Sequence, residues 1–192
     1  MATKNVEVKK KKVAWGITGA GDRIAEYLEI MKEIKTEYEE TVEIQVFLSK
    51  AGETVLKFYN LENELKQSFP KVTVELNANS PFLAAWLQTR KYKFLLIAPT
   101  SSNTVAKIVC GIGDTMLTNA ANMSLKAFIP VYIAPVDFEE KTIYTKLPNG
   151  KDMKLRIRKE DAENVRMLER MEGIHVLSDP QKIREAFKEQ IG

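Results

Sequence analysis

The order of the apolar segments constrains the fold of this chain more than any other feature of its sequence. Short apolar runs, such as residues 13–17 and 94–98, alternate along the chain with segments whose apolar residues recur every three or four positions. The runs are typical of strands buried on both faces, and the second spacing is typical of one face of a helix. This alternation predicts a parallel sheet, and right-handed crossovers make it an open, doubly wound sheet with helices on both faces.

The predicted elements can be placed along the chain. Asp22 is the predicted N-cap of the first helix. After Asp137 the pattern changes, and two alternating segments flank Pro148-Asn149-Gly150, which predicts a β-hairpin appended to the main sheet over residues 138–158. The predicted strands of the main sheet are residues 13–17, 42–48, 72–76, 94–98, 129–134 and 174–177.

Length and composition limit the class of protein. The 192 residues, 44% of them hydrophobic, are enough for a single domain with its own core, which we expect to span residues 1–192. No apolar run approaches the roughly 20 residues of a membrane span, so no membrane association is expected. The net charge is only +3, and no segment interleaves arginines with aromatic residues, so no nucleic-acid partner is expected.

The basic residues near the N-terminus and the single cysteine lead to two further expectations. Residues 1–12 form a basic N-terminal tail, read as a solvated edge before the first strand, with a nucleic-acid arm or an address signal as the alternatives. Cys110 excludes an internal disulfide, which favours a reducing, cytoplasmic location. Cys110 itself is predicted to be a small buried apolar residue on a helix face.

Ligands of an open parallel sheet bind beyond the carboxyl ends of its strands, so the segments after the strands hold the candidate site. Glycines and a threonine (Gly16, Thr18, Gly19) follow the first strand and lead into a helix. Such a loop either brings backbone N–H groups to an anion or forms a tight turn. Ser49 and Lys50 follow the second strand and suit a phosphate, although Ser49 can equally be a helix N-cap.

The richest polar segment follows the fourth strand. It contains five consecutive hydroxyl or amide side chains, more than helix capping requires, and this surplus predicts a ligand site. Asp114, Thr118 and Asn119 add polar groups after a glycine break, which could also be a helix kink and a second cap. The five residues are Thr100, Ser101, Ser102, Asn103 and Thr104.

Common catalytic motifs are missing from the sequence. It contains no G-x-S-x-G elbow and no Walker A sequence, and its one histidine, His175, lies in a predicted strand where a structural role is favoured. With one histidine, no histidine-rich metal site is expected. If the chain is an enzyme, a bound cofactor supplies the chemistry.

Residues 99–104, Pro-Thr-Ser-Ser-Asn-Thr, resemble the Pro-Ala-Ser-Ala-Asn-Thr motif of the homo-oligomeric flavin-containing cysteine decarboxylase superfamily. The first loop, the turn at residues 49–51 and the segment 111–119 occur in the same order as in that superfamily, so the resemblance spans residues 13–137. The amino-acid sequences of the first two loops are most similar to those of archaeal flavoproteins and flavin-dependent dihydromethanopterin reductases.

The resemblance implies a flavodoxin-like, Rossmann-like three-layer α/β fold, FMN bound at a subunit boundary, and a homotrimer or a multiple of trimers. It implies that Thr18 and Ser49 meet the FMN phosphate or ribityl chain. Residues 100–104 would line the phosphate, the ribityl chain and the ring edge. The remaining residues of the expected FMN-binding set are Gly16, Gly19, Lys50, Asp114, Thr115 and Asn119.

Two departures from the superfamily affect the expected reaction. The decarboxylases carry an active-site histidine after the second strand and helix, where this chain has none, and their Pro-x-Met-Asn segment is replaced by Ala-Pro-Val-Asp at residues 134–137. The resemblance therefore implies electron or hydride transfer through FMN, with ferredoxin or NAD(P)H as donor and a small molecule such as a pterin as acceptor. The alternatives are an FMN-dependent decarboxylase, a prenyl-FMN-forming transferase, and a non-catalytic nucleotide-binding subunit. The hairpin would serve as a clamp over the flavin or as an oligomer contact.

Overall fold

Six parallel strands form the central sheet in the computed structural model, which describes residues 10–147 and 150–192. Their spatial order is β3-β2-β1-β4-β5-β8, and the strand order reverses between β1 and β4. The predicted flavodoxin-like, Rossmann-like class is confirmed, and within it the strands follow the 3-2-1-4-5-6 order. The strands are β1 (Lys11–Ile17), β2 (Val42–Leu48), β3 (Val72–Val74), β4 (Leu95–Thr100), β5 (Val131–Pro135) and β8 (Ile174–Val176).

Helices cover both faces of this sheet. The first three helices and the last one pack on one face, and the other four pack on the opposite face. Trp15 of β1 points to the first face and Ala14 to the second, which explains why the strands are apolar without alternation. The helices are α1 (Ile24–Glu37), α2 (Lys50–Phe58), α3 (Glu62–Ser68), α4 (Leu83–Gln88), α5 (Ser102–Val109), α6 (Met116–Lys126), α7 (Lys159–Leu168) and α8 (Ile183–Ile191).

The predicted appended hairpin is confirmed, and it forms no part of the main sheet. Strands β6 (Lys141–Lys146) and β7 (Asp152–Ile157) pair antiparallel with each other in a separate two-stranded sheet. The chain leaves β5 at the carboxyl edge of the main sheet, so the hairpin lies above the strand ends rather than beside an edge strand. Pro148 and Asn149 of the predicted turn, and residues 1–9 of the predicted basic tail, lie outside the described residues.

The predictions for two single residues, Asp22 as a helix N-cap and Cys110 as a buried residue, are wrong. Arg23, and not Asp22, is the N-cap residue of α1; its φ is 53° and no side chain caps this end of the helix. Cys110 is exposed rather than buried, because α5 ends at Val109 and the chain turns away at Gly111, whose φ is +69°.

The last helix is preceded by a capped turn. Asp179 accepts a hydrogen bond from the Gln181 N–H at 2.9 Å, and Pro180 opens a short 3-10 turn that leads into α8. His175 in β8 stacks on Tyr132 with ring centroids 4.6 Å apart, which is a packing role. None of the helices in residues 10–147 and 150–192 is long and apolar enough to cross a membrane.

Candidate functional site

Two adjoining cavities lie above the carboxyl ends of the strands, where the strand order reverses. The polar cavity has a volume of about 650 Å³ and lies over the ends of β1, β2, β3 and β4. The roofed cavity has a volume of about 400 Å³ and lies beneath the hairpin. Gly19, Ser101 and Asn103 line both, so the two spaces form one groove. The predicted residues that line the polar cavity are Thr18, Gly19, Ser49, Lys50, Ser101, Asn103, Thr104, Asp114 and Thr115.

Thr18 joins the loops that follow β1 and β4. Its hydroxyl donates to the Pro99 carbonyl oxygen at 2.9 Å and accepts from the Ser101 N–H at 2.9 Å. The side chain is buried, so the hydroxyl proton is committed to the protein rather than to a ligand. Thr18 therefore positions Ser101, and its role at the site is to hold the two loops together.

The N-terminus of α5 offers free hydrogen-bond donors to the groove. Ser101 caps the helix by accepting from the Thr104 N–H. The backbone N–H groups of Ser102 and Asn103 and the side chain of Asn103 have no partner among the described residues. Free N–H groups at a helix N-terminus, together with the helix dipole, favour an anion.

Glu75 joins two further helix N-termini at the wall of the polar cavity. Its carboxylate accepts from the Met116 N–H at 2.8 Å and from the Lys50 N–H at 3.3 Å, and only 7% of the residue is exposed. The carboxylate therefore occupies donors of α2 and α6 that an anionic ligand would otherwise take. Glu75 is not among the residues predicted from the sequence, because an acidic residue at the end of a weak strand carries no local signal.

The start of α6 uses its polar residues mainly within the protein. Thr115 and Thr118 form a reciprocal capping box. Asp114 forms an ion pair with Lys107, with 2.8 Å between Oδ2 and Nζ. Asn119 donates to the Ala78 carbonyl oxygen and to Asn79 Oδ1, both at 3.0 Å. Asn119 lines a separate cavity of about 180 Å³ together with Asn79 and Phe82, and its predicted contact with the cofactor stays a prediction.

Two more residues of the predicted set lie beneath the site rather than in it. Thr100 is fully buried and donates to the Ile97 carbonyl oxygen at 2.6 Å, because the last residue of β4 turns its side chain into the sheet. A Cβ on Gly16 would lie 2.7 Å from Leu117 Cδ2, so this glycine admits a helix side chain to the sheet surface. Both residues have structural roles beneath the site, and their predicted contacts with the cofactor stay predictions.

The lining of the roofed cavity is mostly apolar. Ile143, Met153 and Leu155 of the hairpin cover it from above, and Tyr59 and Val136 close its sides. Ser102 lines this cavity and donates a hydrogen bond to Asp137, which ties the start of α5 to the segment after β5. Hydrogen-bonding side chains are therefore most numerous over the strand ends, and apolar hairpin residues cover the rest of the groove.

The charges around the polar cavity leave room for an anion. Glu75 is bound to backbone donors and Asp114 is paired with Lys107, whereas Lys50 has no carboxylate partner in the described part of the chain. The hydroxyl of Ser49 accepts from the Gly52 N–H at 2.9 Å and keeps its own proton for a ligand. Among the described residues, no cluster of three or more histidine, cysteine or acidic side chains can hold a metal ion.

Sequence comparison relates this chain to known proteins. Residues 1–189 match the family described as Flavoprotein. An uncharacterized protein of Methanocaldococcus jannaschii is 46% identical over 94% of this chain and 96% of its own length. A dihydromethanopterin reductase (acceptor) of the same organism is 31% identical over 92% of this chain and 95% of its own length.

Solved structures share the fold. DmrB of Burkholderia xenovorans in complex with FMN, described as a cubic protein cage for redox transfer, superposes with a TM-score of 0.79 at 30% identity, over 94% of each chain. A dodecameric FMN-dependent UbiX-like decarboxylase of Escherichia coli O157:H7 superposes with a TM-score of 0.60 at 19% identity, over 86% of this chain and 77% of that one. The second likeness shows the fold alone.

Proposed function

Because this chain belongs to the Flavoprotein family, we propose that it binds FMN in the groove over β1 and β4 and uses it for electron or hydride transfer. The observation that carries the proposal is the division of side chains along the groove, with hydroxyl, amide and ammonium groups over the strand ends and apolar hairpin residues over the roofed cavity. FMN has the same division, since a phosphate and a hydroxylated chain are joined to a flat aromatic ring system.

The residues present fit the two ends of the cofactor. The free N–H groups of Ser102 and Asn103, the Ser49 hydroxyl and the Lys50 ammonium group are suited to the phosphate and the ribityl hydroxyls. The apolar underside of the hairpin is suited to the ring and keeps water from it. Bound FMN supplies the redox chemistry, and the protein supplies binding, orientation and exclusion of solvent.

A reductase role is favoured over decarboxylation by the chemistry of the groove. His175, the single histidine of the sequence, stacks on Tyr132 in β8 and lines neither cavity. The groove therefore offers no imidazole for acid or base work on a carboxylate substrate. Decarboxylase neighbours under 25% identical add only their fold to the alternative.

The experiment that tests the proposal is an absorption spectrum of the purified protein, with FMN titration of any cofactor-free fraction. We expect flavin bands that bleach on anaerobic reduction. Tight uptake of FMN with product formation from a candidate carboxylate would support the decarboxylase instead. A colourless protein that does not take up added FMN would overturn the proposal, and NADP binding without flavin would favour the non-catalytic nucleotide-binding subunit.

We further propose that the acceptor is a pterin and that the protein forms trimers or multiples of trimers, as expected from the sequence. The pterin is supported by the dihydromethanopterin reductase at 31% identity. The donor, ferredoxin or NAD(P)H, and the cytoplasmic location stay predictions. Each donor can be distinguished by the rate at which it bleaches the FMN-loaded protein.

A further inference from the structure

A third cavity, of about 430 Å³, adjoins the roofed cavity and has no part in the FMN site proposed above. This side cavity lies between the start of α1, the segment after β5 and the first residue of β6. Asp22 and Val136 line both the side cavity and the roofed cavity, so a ligand in the side cavity would reach the space proposed for the flavin ring.

Tyr27 gives the side cavity a hydrogen-bond donor that has no partner among the described residues. Only 3% of this residue is exposed, yet its hydroxyl has no hydrogen bond within the described residues. Burial raises the pKa of Tyr27, so its hydroxyl stays protonated and can donate at neutral pH. The Tyr27 hydroxyl lines the open space of the side cavity, so it can donate a hydrogen bond to a ligand that enters there.

Asp22 provides an unpaired acceptor at the junction of the two cavities. Its carboxylate has no hydrogen bond among the described residues, because the neighbouring Arg23 is held by Glu26 at 2.7 Å and Asp179 at 3.1 Å. Burial raises the pKa of Asp22, Arg23 lowers it, and Asp137 raises it further. Lys141 lines the same cavity, and its charge lowers the pKa of Asp22, although Lys141 forms no ion pair within 4 Å among the described residues.

We propose that the side cavity binds the 2-amino-4-oxopyrimidine ring of a pterin, with Asp22 accepting from the ring N–H groups and Tyr27 donating to the ring carbonyl. A carboxylate matches two parallel N–H donors, and Phe138 in the wall offers an aromatic surface to a flat ring. The inference rests on the proposed function, because it requires a flavin in the roofed cavity.

The charges in the lining of the side cavity are balanced. Asp22 and Glu139 contribute two carboxylates, and Arg23 and Lys141 contribute two cations. A pterin ring, which carries no charge of its own, is suited to this balanced lining.

The test measures the binding of 7,8-dihydropterin to the FMN-loaded protein by equilibrium dialysis. Asp22→Asn and Tyr27→Phe should each weaken dihydropterin binding about tenfold, the loss of one hydrogen bond in a cavity. In Tyr27→Phe the Kd of FMN, measured by flavin fluorescence, should change less than about twofold, since Tyr27 lines neither the polar cavity nor the roofed cavity. Matched controls are Tyr38→Phe, at the other end of α1, and Asp152→Asn, in the hairpin, which should bind like the wild type.

Several outcomes would overturn the inference while leaving the FMN proposal standing. They are unchanged dihydropterin binding in both Asp22 and Tyr27 variants, no dihydropterin binding by the FMN-loaded wild type, and NADPH binding that is weakened by the two substitutions. A protein that binds no FMN fails the proposed function itself. If Tyr27→Phe does not fold, Asp22→Asn, at a partly exposed position, carries the test.

Discussion

Single residues at this site divide into those that face the groove and those that build it. Asn103 and Ser49 keep hydrogen-bond donors free for a ligand. Thr100 and Thr18 instead donate their hydroxyl protons to carbonyl oxygens of β4, those of Ile97 and Pro99. All four are small polar residues near strand ends, so residue type alone does not show which of them can bind a ligand. Their hydrogen-bond partners in the structure show it.

Thr18→Val tests the positioning role of Thr18. The substitution keeps the shape and removes the hydrogen bonds to Pro99 and from Ser101, so we expect a loss of about 1–3 kcal/mol in the free energy of unfolding. FMN binding should weaken several-fold, because the α5 N-terminus is no longer held against the β1 loop. Urea denaturation and FMN titration measure the two effects.

Thr18→Ser is the matched control, since it keeps the hydroxyl. It should retain FMN affinity close to that of the wild type. Equal FMN binding by the valine and wild-type proteins would contradict the positioning role.

At the scale of elements, helix starts determine where free donors remain. The α6 start is closed by its own capping box and by Glu75, whereas α5 keeps two N–H groups open toward the groove. The α7 start is closed by Asp161, which accepts from the Arg158 backbone N–H at 3.1 Å and pairs with the Arg158 guanidinium at 2.6 Å. These caps stabilise the frame without contributing to the site.

Asp161→Asn should destabilise the protein in a pH-dependent way. The hydrogen bonds from Arg158 lower the pKa of Asp161, so its contribution is present above the unfolded-state pKa and is lost as the pH falls through the folded-state value. We expect a loss of about 0.5–2 kcal/mol at pH 7 that shrinks below about pH 4. Urea denaturation of both proteins across this range measures it. A difference that stays constant down to pH 3 would show that the charge of Asp161 is not the cause.

The position of the hairpin over the roofed cavity leads to a prediction about the solvent access of bound flavin. Leu155 faces the roofed cavity, so Leu155→Asp should increase the access of iodide to bound flavin and speed FMN dissociation several-fold. Tyr144 lies next to cavity-lining Ile143 on β6 and is 74% exposed, so Tyr144→Asp serves as the control. Similar iodide quenching in the two variants would argue that the hairpin does not cover the cofactor.

For the whole molecule, the family resemblance carried by residues 99–104 is confirmed, since the Flavoprotein family match covers residues 1–189. The single-domain organisation and the trimer stay predictions. Leu76 is 70% exposed and Phe82 is 65% exposed, and both lie in the segment that carries Asn77 and Ala78 of the polar cavity wall. An apolar rim of this kind suits a subunit boundary beside the cofactor.

Light scattering tests the assembly. We expect a mass of three times 21.8 kDa or a multiple of that trimer mass. Leu76→Asp combined with Phe82→Asp should shift the protein toward smaller species and weaken FMN retention. A wild-type mass of a single chain would contradict both the trimer and a cofactor site shared between subunits.

The sequence by itself determined the layers of the molecule and the loops that meet at its site. Apolar periodicity and helix capping depend on residues only a few positions apart. Strands, helices and the polar loop at residues 100–104 can therefore be predicted from the local sequence. Only the tertiary structure decided that Glu75 bridges α2 and α6, that Thr100 turns inward and that the hairpin roofs a cavity. These features depend on which strand ends lie side by side, and strand order is set by packing between segments that are distant in sequence.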